Sequence, residues 1–480
     1  MSILVVDVGT SSVRAAVVDA GGGVGSVHQR AVLPTTPAPG LVEFDAVAMA
    51  DAVRSVATDA LAEAGPVRAV GIANQRASTI VWDRATGEPV GPGLGWQDLR
   101  TVGECLASKA DGIALAPNQS ATKIAWLLDQ ADPDRNRDLC FGTVDSWVAW
   151  TLSDGRLHVT DPTNAGLTGL RTGDGTTWDD HVLAALGIPA SMLPRVVDSI
   201  GEVGPLESLG GAPVLAGIAG DQQASLIGQG CVERGDTKIT FGTGGMLDIC
   251  SGDDRPGFAV RGAGGCFPIV ARSGNGALTW GLEAIMLAAG TNIEWLRDDL
   301  GVIESAAESD ALAASCTTTD GVVFVPALLG LGTPWWDYGA RGTLLGVTRG
   351  TGRAELVRAV LEGVANRGAD LVEAAETDSG ETIDALRVDG GMSGNATFVQ
   401  ALADATGRPI EVSPELEATT VGAAYLAGIA VGLWSGTDET AALFHPRNVV
   451  EPAGSPDRDR WRSAVERARE WYPELSGLDF

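Results

Sequence analysis

Along this chain, short apolar runs that end in glycine or aspartate alternate with longer segments whose apolar residues fall three and four positions apart. The first spacing is that of buried strands and the second that of helices packed on one face, so the alternation predicts an α/β fold. Residues 3–6 read as a buried strand stopped by Asp7. Gly9, Thr10, Ser11 and Ser12 follow as a polar turn, and residues 13–18 resume an extended run. Residues 69–74 and 79–82 read as a further strand pair. Residues 213–219 read as a buried strand that ends at Gly220-Asp221, with a helix over 222–228. Residues 238–241, a Gly-Thr-Gly-Gly turn and residues 246–249 form a second strand–turn–strand unit. A long amphipathic helix is predicted over 355–375, with Leu356, Val360, Val364 and Leu371 on one face. A strand over 386–388 leads into Asp389-Gly390-Gly391 and then a helix from about Thr397 that Gly407 stops.

The two glycine–hydroxyl turns form a near-repeat, each opening one half of the chain. They predict two related domains, 1–230 and 231–480, facing each other across a cleft. Two domains also suit 480 residues, because a single core stops growing at about 250–300. The longest apolar stretch, 421–434, is too short to span a bilayer and reads as a core helix. The charged amphipathic segment from about Arg458 reads as a solvated surface helix.

Composition narrows the partners. Hydrophobic residues make up 45% and charged residues 20%, which excludes a disordered chain. The balance of 33 cations and 62 anions gives −29, a surface that repels phosphate backbones and anionic headgroups. No nucleic-acid or membrane partner is therefore expected, while a homo-oligomer is left open. Six scattered cysteines without a CxxC pair read as reduced thiols of a cytoplasmic protein. Asp7 and Arg14 interrupt the first apolar run, which is not the pattern of a signal peptide.

No Gly-Lys dipeptide, GxGxxG or HRD string is present, so a nucleotide would have to be held by other turns. The turn after Asp7 offers backbone N–H groups and the hydroxyls of Thr10, Ser11 and Ser12 to an anion. Asp7 could hold Mg2+ through water and Arg14 could reach a terminal phosphate. A plain hairpin with an Asx contact gives the same string. Gly391, just after a strand, would let an adenosine approach the backbone, or simply turn the chain into a helix. Asp221, at a strand-to-helix junction, could take a proton from an attacking alcohol, or only cap its helix. Arg76 and Trp96 could form a polyol site of donors and an indole face. Otherwise they are a surface ion pair and a core tryptophan.

These residues stand in strings that, in order and spacing, resemble the FGGY family of carbohydrate kinases. The glycerol kinase branch is the most similar, from about Ile3 to Trp434. The strings are DVGTSSVRAAVVD, NQRASTIVWD, WQDLRT, SATKIAWLLD, TDPTNA, GIAGDQQASLIGQ, TFGTGG, VPALLGLGTPWWDYGARG, LRVDGG and TTVGAAYLAG. The resemblance implies two actin-like (ribonuclease-H-type) ATPase domains, with ATP and Mg2+ in the catalytic cleft between them. It places Thr10, Ser11, Ser12, Arg14, Thr243, Gly290, Gly391 and Asn395 at the nucleotide. It makes Asp7 the metal-linked aspartate, and Asp221 the catalytic base, which also faces the metal. Arg76, Trp96, Asp221 and Gln222 would surround the sugar alcohol. Four positions depart from the glycerol kinase pattern: Ala77 stands for a glutamate, Asn118 for a tyrosine, Met246 for a phenylalanine and Glu294 for a glutamine. The expected activity is therefore phosphorylation of a hydroxyl, taken as primary, on a small polyol or ketose. The alternatives are glycerol kinase proper, or a non-catalytic actin-like scaffold or sugar sensor.

Overall fold

The computed structural model describes residues 2–414 and 417–478. Among them, thirteen strands form one sheet. In chain order these are β1 (Ile3–Val8), β2 (Ser12–Val18), β3 (His28–Ala31), β4 (Ala69–Asn74), β5 (Ile200–Pro205), β6 (Val214–Gly220) and β7 (Thr237–Phe241). They continue with β8 (Gly245–Gly252), β9 (Phe267–Gly274), β10 (Ala277–Met286), β11 (Leu386–Asp389), β12 (Ile410–Val412) and β13 (Asn448–Val450). The spatial order is β13-β12-β11-β7-β8-β10-β9-β5-β6-β4-β1-β2-β3. Every residue of β1 and β4 is buried, as in parallel strands covered on both faces.

The near-repeat in sequence is a repeat in topology. In the first half β1 forms a hairpin with β2 and lies parallel to β4, which lies parallel to β6. In the second half β7 forms a hairpin with β8 and lies parallel to β11, which lies parallel to β12. Each half keeps its own apolar core. The halves meet where Ile200 of β5 pairs with Gly274 of β9, and where Ser199 and Ser273 exchange backbone-to-hydroxyl hydrogen bonds of 2.8 and 3.1 Å. The chain also crosses back. Helix Ala418–Ala430 from the second half packs on Ile3, Val5, Ala69 and Ala216 of the first-half sheet and on helix Asp221–Gly228. Gly228 and Gly422 allow that crossing, because a Cβ on either would overlap the other helix's backbone.

Two expectations are corrected. Residues 69–74 and 79–82 are not partners. Both edges of β4 are taken by β1 and β6, and Ala77, at φ +61°, turns the chain away from the sheet. Strand Ile80–Asp83 pairs instead with Leu139–Gly142. The segment from Arg458 is not merely solvated. Helix Arg458–Ala468 buries Trp461, Ala464, Val465 and Ala468 against Val325, Ala327 and Leu331. Those four positions are spaced as one helical stripe, and the surrounding charges masked it in the sequence.

Candidate active site

Three parallel strands deliver the chemistry at their carboxyl ends, the edge where α/β sheets bind ligands. Val8 of β1, Asn74 of β4 and Gly220 of β6 lie side by side in register, so Asp7, Arg76 and Asp221 project together. Asp221 opens helix Asp221–Gly228 with Gly220 as N-cap. Its Oδ1 accepts from the backbone N–H of Gln222 at 2.8 Å and faces Arg76 Nε at 3.4 Å. Burial raises the Asp221 pKa, and Arg76, the Gln222 N–H and Lys238 restrain the rise. A carboxylate at this strand-to-helix junction is placed to accept a proton from an alcohol.

Arg76 is held from both sides. Its Nη1 meets Glu283 Oε2 at 2.6 Å, and burial and Asp248 push the Glu283 carboxyl up against the pull of Arg76. Gly220 permits this placement, since a Cβ there would stand 2.6 Å from Arg76 Cδ. The string TDPTNA backs the same spot. Thr163 Oγ1 accepts the Gly220 N–H at 2.8 Å, and the Asn164 and Asn74 amides bond at 2.9 Å.

The string SATK braces the neighbouring loops. Ser120 Oγ donates to Ala77 O at 2.9 Å, and Lys123 Nζ donates to Gly95 O at 2.8 Å and Trp96 O at 3.2 Å. Burial lowers the Lys123 pKa to about 7. Trp96 Nε1 in turn donates to Thr10 Oγ1 at 3.3 Å, which ties the polyol candidates to the first glycine–hydroxyl turn. Asn118 lies exposed on the adjacent loop, and Met246 is half-buried on β8.

The first turn closes through Gly9 N–H to Ser12 O at 2.9 Å, leaving Ser11 exposed. Arg14 reaches Asp7 at 2.8 Å and Glu417 at 2.7 Å. Burial raises the Asp7 pKa to about 6, Arg14 opposes the rise, and Asp221 and Glu417 add to it. Asp7 is thus ionised at neutral pH but held at a cost, the condition under which a bound cation is welcome. No group of three His, Cys, Asp or Glu that could hold a metal occurs among the described residues. Mg2+ does not need one: it binds through one or two carboxylates, waters and substrate phosphates. Asp7 and Asp221 fit that role.

The second turn places Gly242 and Thr243 in the open. Gly290 stacks against it so closely that a Cβ would lie 2.6 Å from Gly242 O, and its N–H donates to that oxygen at 2.9 Å. Glu294 is exposed a few residues on. Asn395 has its amide committed: Oδ1 accepts from Phe398 N at 2.9 Å and Nδ2 donates to Ser309 Oγ at 3.0 Å. Asn395 thereby fixes the first turn of helix Ala396–Thr406, with both ends of its amide used within the protein. The glycines before it divide the work. Gly390 (φ +85°) would drive a Cβ into the Phe241 backbone, whereas a Cβ on Gly391 meets nothing within 4 Å. Gly391→Val is therefore expected to melt within a few degrees of the parent and to weaken ATP binding at least about tenfold by calorimetry. Unchanged affinity removes Gly391 from the site.

Sequence reasoning missed four residues here: Glu283, Lys238, Asp248 and Glu417. The first three carried a readable signal, a charge inside an apolar strand (GLEAIM, TKITF, MLDIC). Such residues are rarely buried unless paired. Glu417 lies in a loop and had none.

Two matching glycine–hydroxyl turns and a buried carboxylate at a strand-to-helix junction suit a phosphotransferase that acts on an alcohol group. The model of the FGGY family of carbohydrate kinases, N-terminal domain, matches residues 2–228, and that of its C-terminal domain matches residues 238–431. The chain belongs to this family, and its two halves are the family's two actin-like domains. It is 43% identical to a glycerol kinase of Aromatoleum aromaticum, over 98% of this chain and 99% of that one. It is 41% identical to one of Deinococcus radiodurans, over 98% of each. The crystal structure of Plasmodium falciparum glycerol kinase with ADP superposes with a TM-score of 0.89 at 28% identity, covering 97% of this chain and 98% of that one. A sugar kinase structure from Brucella ovis shares the fold, with a TM-score of 0.86 at 24% identity over the whole of both chains. The chain is an ATP-dependent kinase of small sugar alcohols or sugars. Among the described residues no helix is long and apolar enough to cross a membrane.

Proposed function

We propose that this kinase transfers the γ-phosphoryl group of ATP, as its Mg2+ complex, to a primary hydroxyl of a polyol or ketose larger than glycerol. The observation that carries the acceptor's size is Ala77. It sits buried beside Arg76 with only a methyl group where the glycerol kinase branch carries a glutamate. Asn118, exposed, and Met246, half-buried, stand where the resemblance implies a tyrosine and a phenylalanine, so an acceptor site here would lack a phenol hydroxyl and two aromatic rings. Residues 1–230 would supply the acceptor site and the first phosphate turn, and 231–480 the second turn and the adenosine site. A cytoplasmic setting suits the described cysteines, all of them free thiols.

Asp221 Oδ2 would take the acceptor proton, because the Gln222 N–H and Arg76 Nε both meet Oδ1. Arg76 and Gln222 would orient the hydroxyls, and the turns at Thr10–Ser12 and Thr243 would hold phosphate oxygens. When bound, Mg2+ neutralises charge on those oxygens, and Asp7 would face it. Most catalysis of this kind is positioning and charge stabilisation. Glycerol itself is the second reading, favoured by 43% identity to a protein of that activity.

Acceptor-dependent ADP release over glycerol, erythritol, ribitol, xylitol and D-xylulose tests both. A larger acceptor is expected to exceed glycerol by at least about tenfold in kcat/KM, or ~1.4 kcal/mol of transition-state binding. Glycerol leading the panel selects the second reading, and no acceptor-dependent release at all returns the chain to a binding role.

A further inference from the structure

A row of charges crosses three neighbouring strands beneath the acceptor site. Lys238 of β7, Asp248 of β8 and Glu283 of β10 are direct cross-strand partners, and all three are buried. At one end Glu283 holds Arg76. At the other, the Lys238 ammonium pairs with the Asp248 carboxylate at 2.7 Å and donates to Gln222 Oε1 at 2.7 Å and Thr240 Oγ1 at 3.0 Å. An ammonium held by one ion pair and two hydrogen bonds is fixed in place. It also fixes which way Gln222 points. An amide oriented the other way would set its NH2 against the ammonium, donor to donor. With Oε1 committed to Lys238, only Nε2 remains to meet a ligand.

We infer that Lys238 and Asp248 are positioning residues for acceptor recognition: they hold the Gln222 amide so that it presents a hydrogen-bond donor beside the carboxylate of Asp221. A hydroxyl entering there gives its proton to Asp221 and receives a hydrogen bond from Gln222, and neither group must reorient. Asp248 is needed because a lysine with no exposed surface must have a countercharge. The row lies on the second half while Gln222 and Arg76 lie on the first, so it also registers the halves at the point of reaction.

The inference extends the reading of Gln222 as an acceptor contact and is independent of acceptor size. Its test therefore uses whichever panel compound the parent turns over best. Lys238→Met alone strands Asp248 and can fail to fold. The informative variant is Lys238→Met/Asp248→Leu, which removes both charges and keeps the volume. Such replacements are often neutral or stabilising. Expected for it are a melting temperature near the parent's, a KM for ATP within about twofold, and an acceptor KM raised about tenfold. Gln222→Met is expected to raise the acceptor KM as much, and the triple variant no further, because the pair acts through Gln222. An unchanged acceptor KM in the double variant, or additive effects in the triple, overturns the inference. A silent Gln222→Met removes Gln222 from the acceptor site, and the inference with it.

Discussion

Asp221→Asn is expected to keep the fold and ATP binding while losing more than about a hundredfold in kcat. Asparagine retains Oδ1, and with it the hydrogen bond from the Gln222 N–H. Arg76 retains its pairing with Glu283. The helix is capped by the backbone of Gly220, so its start does not depend on the charge at 221. What the amide lacks is a basic oxygen, and a positioned general base contributes ~10²–10⁴ in rate. Burial raises the Asp221 pKa above the ordinary carboxylate value, which makes its oxygen more basic than an exposed carboxylate's. The loss should fall on kcat with the best acceptor, with little change in melting temperature or calorimetric ATP affinity. A kcat within a few fold of the parent would reduce Asp221 to a helix-start residue.

The fold was legible wherever burial and period agreed. The six residues of β1 are all buried, and Leu356, Val360, Val364 and Leu371 do form one face of helix Arg353–Ser379. Gly407, in the left-handed conformation, stops helix Ala396–Thr406 as read. The long-range consequences were not legible. Nothing local says that residues 79–82 leave the sheet, because that follows from two other strands occupying both edges of β4. Nor does the run 421–434 announce that its helix returns to the first half, where Gly422 meets Gly228.

The candidate site was legible as motifs and opaque as a network. Asp7, Thr10, Arg76 and Asp221 could be singled out because glycine turns and strand ends mark them. Their supports carried only the weaker mark of a charge inside an apolar strand, which names no partner. Lys238 and Asp248 face each other across one hairpin, and Glu283 joins them only through the register of β8 and β10. Each looks like an isolated polar residue in a strand until the pairing supplies its countercharge. The same applies to Asn395, whose committed amide depends on Ser309. Sequence pattern reports what faces a ligand more readily than what holds that face still.

Ala77→Glu/Asn118→Tyr is expected to raise the ratio of glycerol to larger-acceptor kcat/KM at least about a hundredfold, roughly tenfold for each restored group. The backbone for a glutamate is already in place. Ala77 sits at φ +61°, held by Ser120 Oγ and Thr79 Oγ1 on its carbonyl at 2.9 and 3.2 Å. Alanine already bears the strain of a Cβ in that conformation, so a longer side chain adds little. The new carboxylate would stand next to Arg76, which limits the cost of burying it. It would accept a hydroxyl hydrogen bond that a methyl cannot, while the phenol at 118 refills the space a longer acceptor needs. Glycerol should therefore gain and larger acceptors should lose, and the single variants should each carry part of the shift. Measuring kcat/KM for glycerol and the best larger acceptor in all four proteins checks this. A double variant whose ratio matches the parent's would show that Ala77 and Asn118 do not set acceptor size, and the weight would pass to Met246 on β8 opposite Ile285.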